Sequence, residues 1–149
     1  MNIRKTRSAF TMIEIMIVIF IIGVLATIVG PNLMKWMGRG SETTTKSNLA
    51  TLKTELQSFK MDVKRFPTKE EGLDALIAMP KGLPQGLWRG PYIEGNAVPL
   101  DAWNNAFIYN CPPVKFKDKY KYFEIYSYGD GGETGPDAEQ NAQNLNAGV

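Results

Sequence analysis

The chain has 149 residues, 44% of them apolar, with 17 basic side chains against 15 acidic ones and no histidine. Such a length suits one small folded domain, and the missing histidines remove histidine triads, histidine general bases and histidine metal ligands. Cys111 is the single cysteine, which excludes an internal disulfide. The net charge of +2 belongs to Arg4, Lys5 and Arg7, because without these three the 17 cations fall to 14 against 15 acids, a balance of −1 that leaves no nucleic-acid footprint.

In chain order, a basic leader (MNIRKTRSA, residues 1–9) precedes FTMIEIMIVIFIIGVLATIV, Phe10 to Val29. A bilayer core of roughly 30 Å takes about 20 apolar residues as a helix, so this run is a membrane span. Positive charge ahead of it predicts a cytoplasmic leader and an exported remainder. A secretory signal has the same order, but its apolar part is only about 7–15 residues and closes on a small-residue cleavage site. Glu14 breaks the run, at about 2.5–3.5 kcal/mol for an acid at the centre of a membrane helix and less near an end. It is either a functional acid with a partner or a helix-end glutamate reaching the headgroups.

From Asn32 the pattern turns amphipathic. Leu49, Leu52, Leu56, Phe59 and Val63 recur at alternating spacings of three and four and share one helical face. Gly23 and Pro31 interrupt the helical pattern, and Gly38 and Gly40 predict a bend. Unbroken, Phe10 to Lys64 would extend roughly 80 Å at 1.5 Å per residue, more than a small domain can cover. The first half therefore seeks membrane or filament partners, and the second packs on a sheet. Too few heptads are sustained for a coiled coil.

Thr68 caps a predicted short helix, Lys69 to Ala78, with Glu71 as its capping-box partner and Leu73, Leu76 and Ile77 facing inward. Met79-Pro80-Lys81-Gly82 stops it. Gly90 to Ile93, Ala106 to Asn110 and Tyr120 to Tyr128 are strand candidates. Trp88, Trp103, Phe107 and Tyr109 read as core or interface. Lys115, Lys117, Lys119 and Lys121 read either as a solvated hairpin or edge strand, where lysines block pairing, or as a contact for acidic partners. Ser127 to Glu139 packs acids among glycines and can be a calcium loop or a plain solvated loop; its spacing is not that of an EF-hand. The tail from Gln140 to Val149 is polar and expected to fray. The fold class is α+β: a long N-terminal helix packed on a small antiparallel sheet.

Ser8-Ala9-Phe10-Thr11-Met12-Ile13-Glu14 resembles the processing site of type IV pilins and pseudopilins, with Ala9 where that family usually has glycine. The resemblance implies a type IV pilin-like fold, cleavage between Ala9 and Phe10 by a prepilin peptidase, N-methylation of Phe10, and Glu14 as the fifth mature residue. Its partner would then be the Phe10 α-amino group of a staggered neighbour, each charge offsetting the other's desolvation. Pairing within one helix is awkward, because four residues rise about 6 Å. Pro31 falls at mature position 22, where many pilins carry proline, and the resemblance implies an assembly role there.

FPTKEEGLDALIAMP, RGPYIEG and VPLDAWNNAFIYNCP further resemble elements of the G-type major pseudopilins of type II secretion systems. Ala102 replaces a usual proline and Asn104-Asn105 a glycine region, so the Asp101–Asn105 turn should differ in detail. This resemblance implies structural calcium after SYGDGG, held by Asp130 and Asp137, with Glu133, Glu139 and backbone carbonyls secondary. It implies a leader (1–9), a transmembrane and filament-core helix (10–30) and a periplasmic domain (31–149). Within that domain the helix continues over 31–64, the short helix and sheet occupy 65–128, and the calcium loop and tail occupy 129–149. The expected protein is a structural subunit and not an enzyme. It is anchored once in the bacterial inner membrane and assembles as a homopolymer into a periplasmic pseudopilus that helps export folded proteins across the outer membrane. Its partners are minor pseudopilins, an inner-membrane assembly platform and the prepilin peptidase. The competing expectations are a type IV pilin for adhesion, uptake or motility, and a membrane-anchored periplasmic binding protein or enzyme.

Overall fold

The computed structural model describes residues 10–149, and the side chains of all of these except 30–39. The leader and Ala9 lie outside the described residues, as does the side chain of Pro31. Helix α1 runs over Met12–Val63, 52 residues, and passes Gly23, Pro31, Gly38 and Gly40 without an interruption in its helical assignment. The chain divides into two units, one up to Arg39 and the other Gly40–Val149.

In the second unit the expected face of α1 is buried: Leu49, Leu52, Leu56, Phe59 and Val63 all join the core, and Thr45 extends the stripe by one more turn. Burying each large apolar side chain contributes about 1.5–3 kcal/mol, so this stripe supplies much of the domain's cohesion. The helix ends where Lys64 takes a left-handed conformation (φ 66°). Arg65 then grips Glu71 with two nitrogens, each 2.6 Å from a carboxylate oxygen.

The capping box at Thr68 forms: the Thr68 N–H donates to Glu71 at 2.8 Å, and the Glu71 N–H donates to Thr68 Oγ1 at 3.3 Å. The helix expected over Lys69 to Ala78 does not follow. Gly72 sits at φ 60°, ψ −161°, outside the helical region, so the chain makes one capped turn and then a 3-10 turn at Leu73–Leu76. Leu73, Ala75 and Leu76 still face the core, while Ile77 is only half-buried.

Gly90 to Ile93 is likewise not a strand. Pro91 has no N–H to give a ladder, and the Tyr92 N–H goes instead to the Leu76 carbonyl at 2.7 Å. Aromatic packing holds this segment. The Tyr92 ring meets Phe59 and Trp88 edge-on, at 5.7 and 5.8 Å, and Trp88 Nε1 donates to the Ala75 carbonyl at 2.9 Å. Trp88 lies so close over Gly90 that a Cβ there would overlap the indole.

The sheet has three short antiparallel strands in the order β1 (Ile108–Asn110), β2 (Glu124–Tyr126), β3 (Asn146–Gly148). The first is the last three residues of the run expected at Ala106 to Asn110, and the second lies inside the run expected at Tyr120 to Tyr128. The third corrects the sequence reading, since it comes from the tail expected to fray. Helix α2 (Ala138–Asn144) buries Ala142 completely, and Leu145 just beyond it is 1% exposed. The Lys121 and Tyr122 N–H groups both donate to the Val149 carbonyl. Central strand β2, buried throughout, needs a neighbour on each edge, and the tail is the second.

Leu145→Ala should therefore lower the unfolding free energy by about 2–5 kcal/mol, as for other buried leucines. Equilibrium denaturation of the full chain in detergent measures this, and an unchanged midpoint would show that the tail carries no load.

Candidate functional site

Three surfaces carry chemistry: the start of α1, the hairpin between β1 and β2, and the loop leading to α2. Among the described residues one helix is long and apolar enough to cross a membrane, Met12–Val29, and none of it is buried within the chain. Its side chains are apolar apart from Glu14 and Thr27, and they are exposed.

Glu14 finds a partner in its own chain. The Thr11 N–H and Oγ1 both donate to Glu14 Oε2 at 2.8 Å, and the Glu14 N–H donates back to Thr11 Oγ1 at 3.3 Å. This is a capping box, which satisfies helix-terminal N–H groups otherwise left bare. Thr11 was not singled out in the sequence, although the T-x-x-E spacing ahead of an apolar run signals it. Phe10 is 81% exposed beside this cap; the partner expected for Glu14 after cleavage is the Phe10 α-amine of a staggered neighbour.

A buried clamp positions the C-terminal acidic loop. Asp101, 4% exposed, accepts N–H bonds from Trp103 and Asn105 on Oδ1, at 2.9 and 2.8 Å. Its Oδ2 accepts the Ser127 hydroxyl at 2.5 Å. Ser127 Oγ in turn accepts the Gly129 N–H at 2.8 Å, and the Asn105 side-chain amide donates to the Gly129 carbonyl at 2.7 Å. Asn104 takes the left-handed conformation (φ 65°) that this turn requires, which asparagine tolerates where most side chains do not. Two tight turns are thereby fastened together by side-chain hydrogen bonds.

Beyond the clamp the loop closes on itself. Gly131 is left-handed (φ 80°), a 3-10 turn occupies Gly132–Thr134, and Gly135 returns so closely that a Cβ on it would lie 3.0 Å from the Asp130 carbonyl oxygen. Asp130 and Asp137 flank this closed loop. Their carboxylates and the loop carbonyls offer the all-oxygen donors that calcium takes, so the residues fit such an ion in kind. Glu139 is engaged elsewhere, 2.6 Å from Lys115 Nζ, and Glu133 is exposed. Among the described residues no three acidic, cysteine or histidine side chains gather as a metal-holding group.

The hairpin between β1 and β2 hangs on Glu124, whose residue is fully inaccessible. Its carboxylate accepts the Lys115 and Phe116 N–H groups at 2.9 and 2.6 Å and the Asn110 amide at 2.8 Å. Burial pushes the Glu124 carboxyl up, but these donors outweigh it and hold the group below the usual carboxylate range. Arg65, through its paired hydrogen bonds, likewise holds Glu71 low.

Residues 32–145 match the family described as type II secretion system (T2SS), protein G, and residues 4–30 match the prokaryotic N-terminal methylation motif. Type II secretion system core protein G of Aeromonas hydrophila is 34% identical over 144 residues, covering 95% of this chain and 96% of that protein. The core protein G of Pseudomonas aeruginosa shows the same identity and coverage. The crystal structure of the major pseudopilin from the type 2 secretion system of enterohaemorrhagic Escherichia coli superposes with a TM-score of 0.57 at 27% identity, covering 72% of this chain and 90% of that one.

Because the Glu124 carboxyl is held below its unfolded range, its contribution is complete above roughly pH 5 and is lost as pH falls through its lower folded value. Stability should therefore drop steeply below about pH 4.5, near the unfolded carboxylate range. Glu124→Gln should be less stable at pH 7 and show a flatter acid limb in chemical denaturation; an unchanged limb contradicts this role.

Proposed function

The chain belongs to the type II secretion system protein G family, and from that membership we propose how its parts perform the work of a pseudopilus subunit. It is a structural subunit that polymerises through its N-terminal helix, and, like its family, it is not an enzyme. The observation that carries this is the Met12–Val29 stretch of α1, apolar apart from Glu14 and Thr27 and, among the described residues, with none of it buried. It extends from a helix whose later turns already have a core. Such a surface is stable in lipid before assembly and against copies of itself afterwards, because both exclude water from the apolar faces.

The proposed sequence begins with a single inner-membrane span, the folded domain on the periplasmic side. Cleavage between Ala9 and Phe10 by the prepilin peptidase and methylation of the new terminus follow. Before assembly the Thr11 cap satisfies part of Glu14; in the filament the Phe10 amine of a staggered neighbour adds a charge of opposite sign and sets register. Pro31, with no N–H to donate, is placed where the helix can adjust during extraction. Minor pseudopilins and the inner-membrane assembly platform complete the set of partners, and export of folded proteins across the outer membrane is the purpose. A type IV pilin would share the N-terminal features, but the match to protein G over residues 32–145 favours the secretion role.

The test is the N-terminus and the fibre together. Mass spectrometry of assembled subunits should find N-methylated Phe10, and Glu14→Leu should sharply reduce fibres on electron micrographs while leaving the subunit in the membrane. An intact Met1 on fibre-borne protein, or normal fibres from the variant, overturns the mechanism.

Calcium is proposed as a structural ligand of the Asp130–Asp137 loop, adding stability only while the ion is present. The melting temperature should rise with calcium and return with chelator, and Asp137→Ala should abolish the difference. A chelator-insensitive melt in the unsubstituted chain removes calcium from the account.

A further inference from the structure

Two patches of opposite sign stand out among the charges that the ion pairs of the folded unit leave unmatched. Four lysines occupy the β1–β2 hairpin. Lys115 is settled, 2.6 Å from Glu139 and lying over the rings of Tyr126 and Tyr128. Lys119 donates to Asn146 at 2.8 Å and lies over Tyr120, and Lys121 lies over Tyr122. Among the described residues, none of Lys117, Lys119 and Lys121 forms an ion pair. Together with Asp118, Tyr120 and the rigid Pro112-Pro113 pair, they line a concavity of about 370 Å³.

The opposite patch follows at once in sequence. No lysine or arginine occurs after Lys121. Of the five acids in that stretch, Glu124 is buried beneath the hairpin and Glu139 is paired with Lys115. That leaves Asp130, Glu133 and Asp137, all exposed and, among the described residues, all outside any ion pair. Both patches are held in shape from within, the lysine hairpin by Glu124 and the acidic loop by the Asp101–Ser127 clamp.

We propose that the lysine concavity of one copy receives the Asp130–Asp137 loop of a neighbouring copy. The proposal rests on the filament reading above and names a contact between the folded domains within it. A lysine-lined concavity and an acidic loop are complementary in sign, with Glu133 the loop acid that calcium does not claim first, and like patches repel one another, so the wrong pairings are disfavoured. Within a filament the contact is made head-to-tail, the concavity of each copy taking the loop of the next, so that it repeats without closing. Solvent-exposed pairs of this kind are weak singly and screened by salt, so the contact orients subunits while the apolar helices hold them.

The test uses filaments sheared from cells producing the full chain, in a Cys111→Ser background that removes the native thiol. Lys117→Cys and Glu133→Cys carried in one chain should give an oxidant-dependent ladder of dimers and higher species, which neither substitution gives alone. Lys117→Glu and Glu133→Lys should each lower sedimentable filament several-fold, and their combination should restore it. Glu133 is chosen because Asp130 and Asp137 are the first candidates for calcium. Filaments without a ladder, together with single charge reversals that assemble normally, overturn the contact and leave the filament reading intact. Failure of the unsubstituted chain to form filaments overturns both.

Discussion

A single helix of 52 residues has to satisfy two different surroundings, and the rest of the structure follows from that. Helical backbone satisfies its own N–H and C=O groups, apart from the N–H that Pro31 lacks, so a helix suits either medium; the side chains decide where each part belongs. Met12–Val29 is apolar apart from Glu14 and Thr27 and is exposed, which water penalises by roughly 25 cal/mol per Å². From Thr45 onward one stripe is apolar and is buried under the sheet and the 3-10 turn. The first part is left exposed among the described residues, while the second is buried in a core of the folded unit.

The folded unit is small and has no disulfide, so buried polar groups do much of the fastening. Two buried carboxylates and a half-buried one illustrate how. Glu124 collects the N–H groups that begin the lysine hairpin. Asp101 collects those of the turn before β1 and, through Ser127, reaches the acidic loop. Glu71 closes the capped turn after α1 and holds Arg65. An unpaired buried carboxylate would be strongly destabilising, but each of these accepts several donors, which turns a desolvation cost into a requirement for one backbone arrangement. Both charged surface loops are consequently displayed in defined shapes.

Local signals were legible wherever the partner lies a few residues away. The stripe from Leu49 to Val63 and the box at Thr68–Glu71 formed as the spacing implied. A second box forms at Thr11–Glu14, whose T-x-x-E spacing is just as plain a local signal. The misreadings concern segments whose partner is remote. Lys69 to Ala78 carries helical spacing, yet Gly72 leaves the helical region and Trp88 caps the Ala75 carbonyl from the following loop. Gly90 to Ile93 has strand composition, but its hydrogen bonds go to Leu76 and its rings to Phe59.

The sequence by itself determined the division of labour: a basic leader, an apolar helix with one acid near its start, an amphipathic continuation, and a domain whose motifs resemble one secretion family. These are properties of periodicity and short spacing, which any chain carries before it folds. Only the tertiary structure decided the role of the last dozen residues. Asn146–Gly148 is too polar and too rich in small side chains to announce a strand, and it becomes one because β2 has an edge to be satisfied and Gly148 alone fits beneath Phe123 and Tyr120. The tertiary structure likewise decided which charges stay unmatched, since Lys115 and Glu139 meet only once the tail has folded back. Pairing across a sheet depends on the edge presented to a segment, and no local pattern within that segment records it.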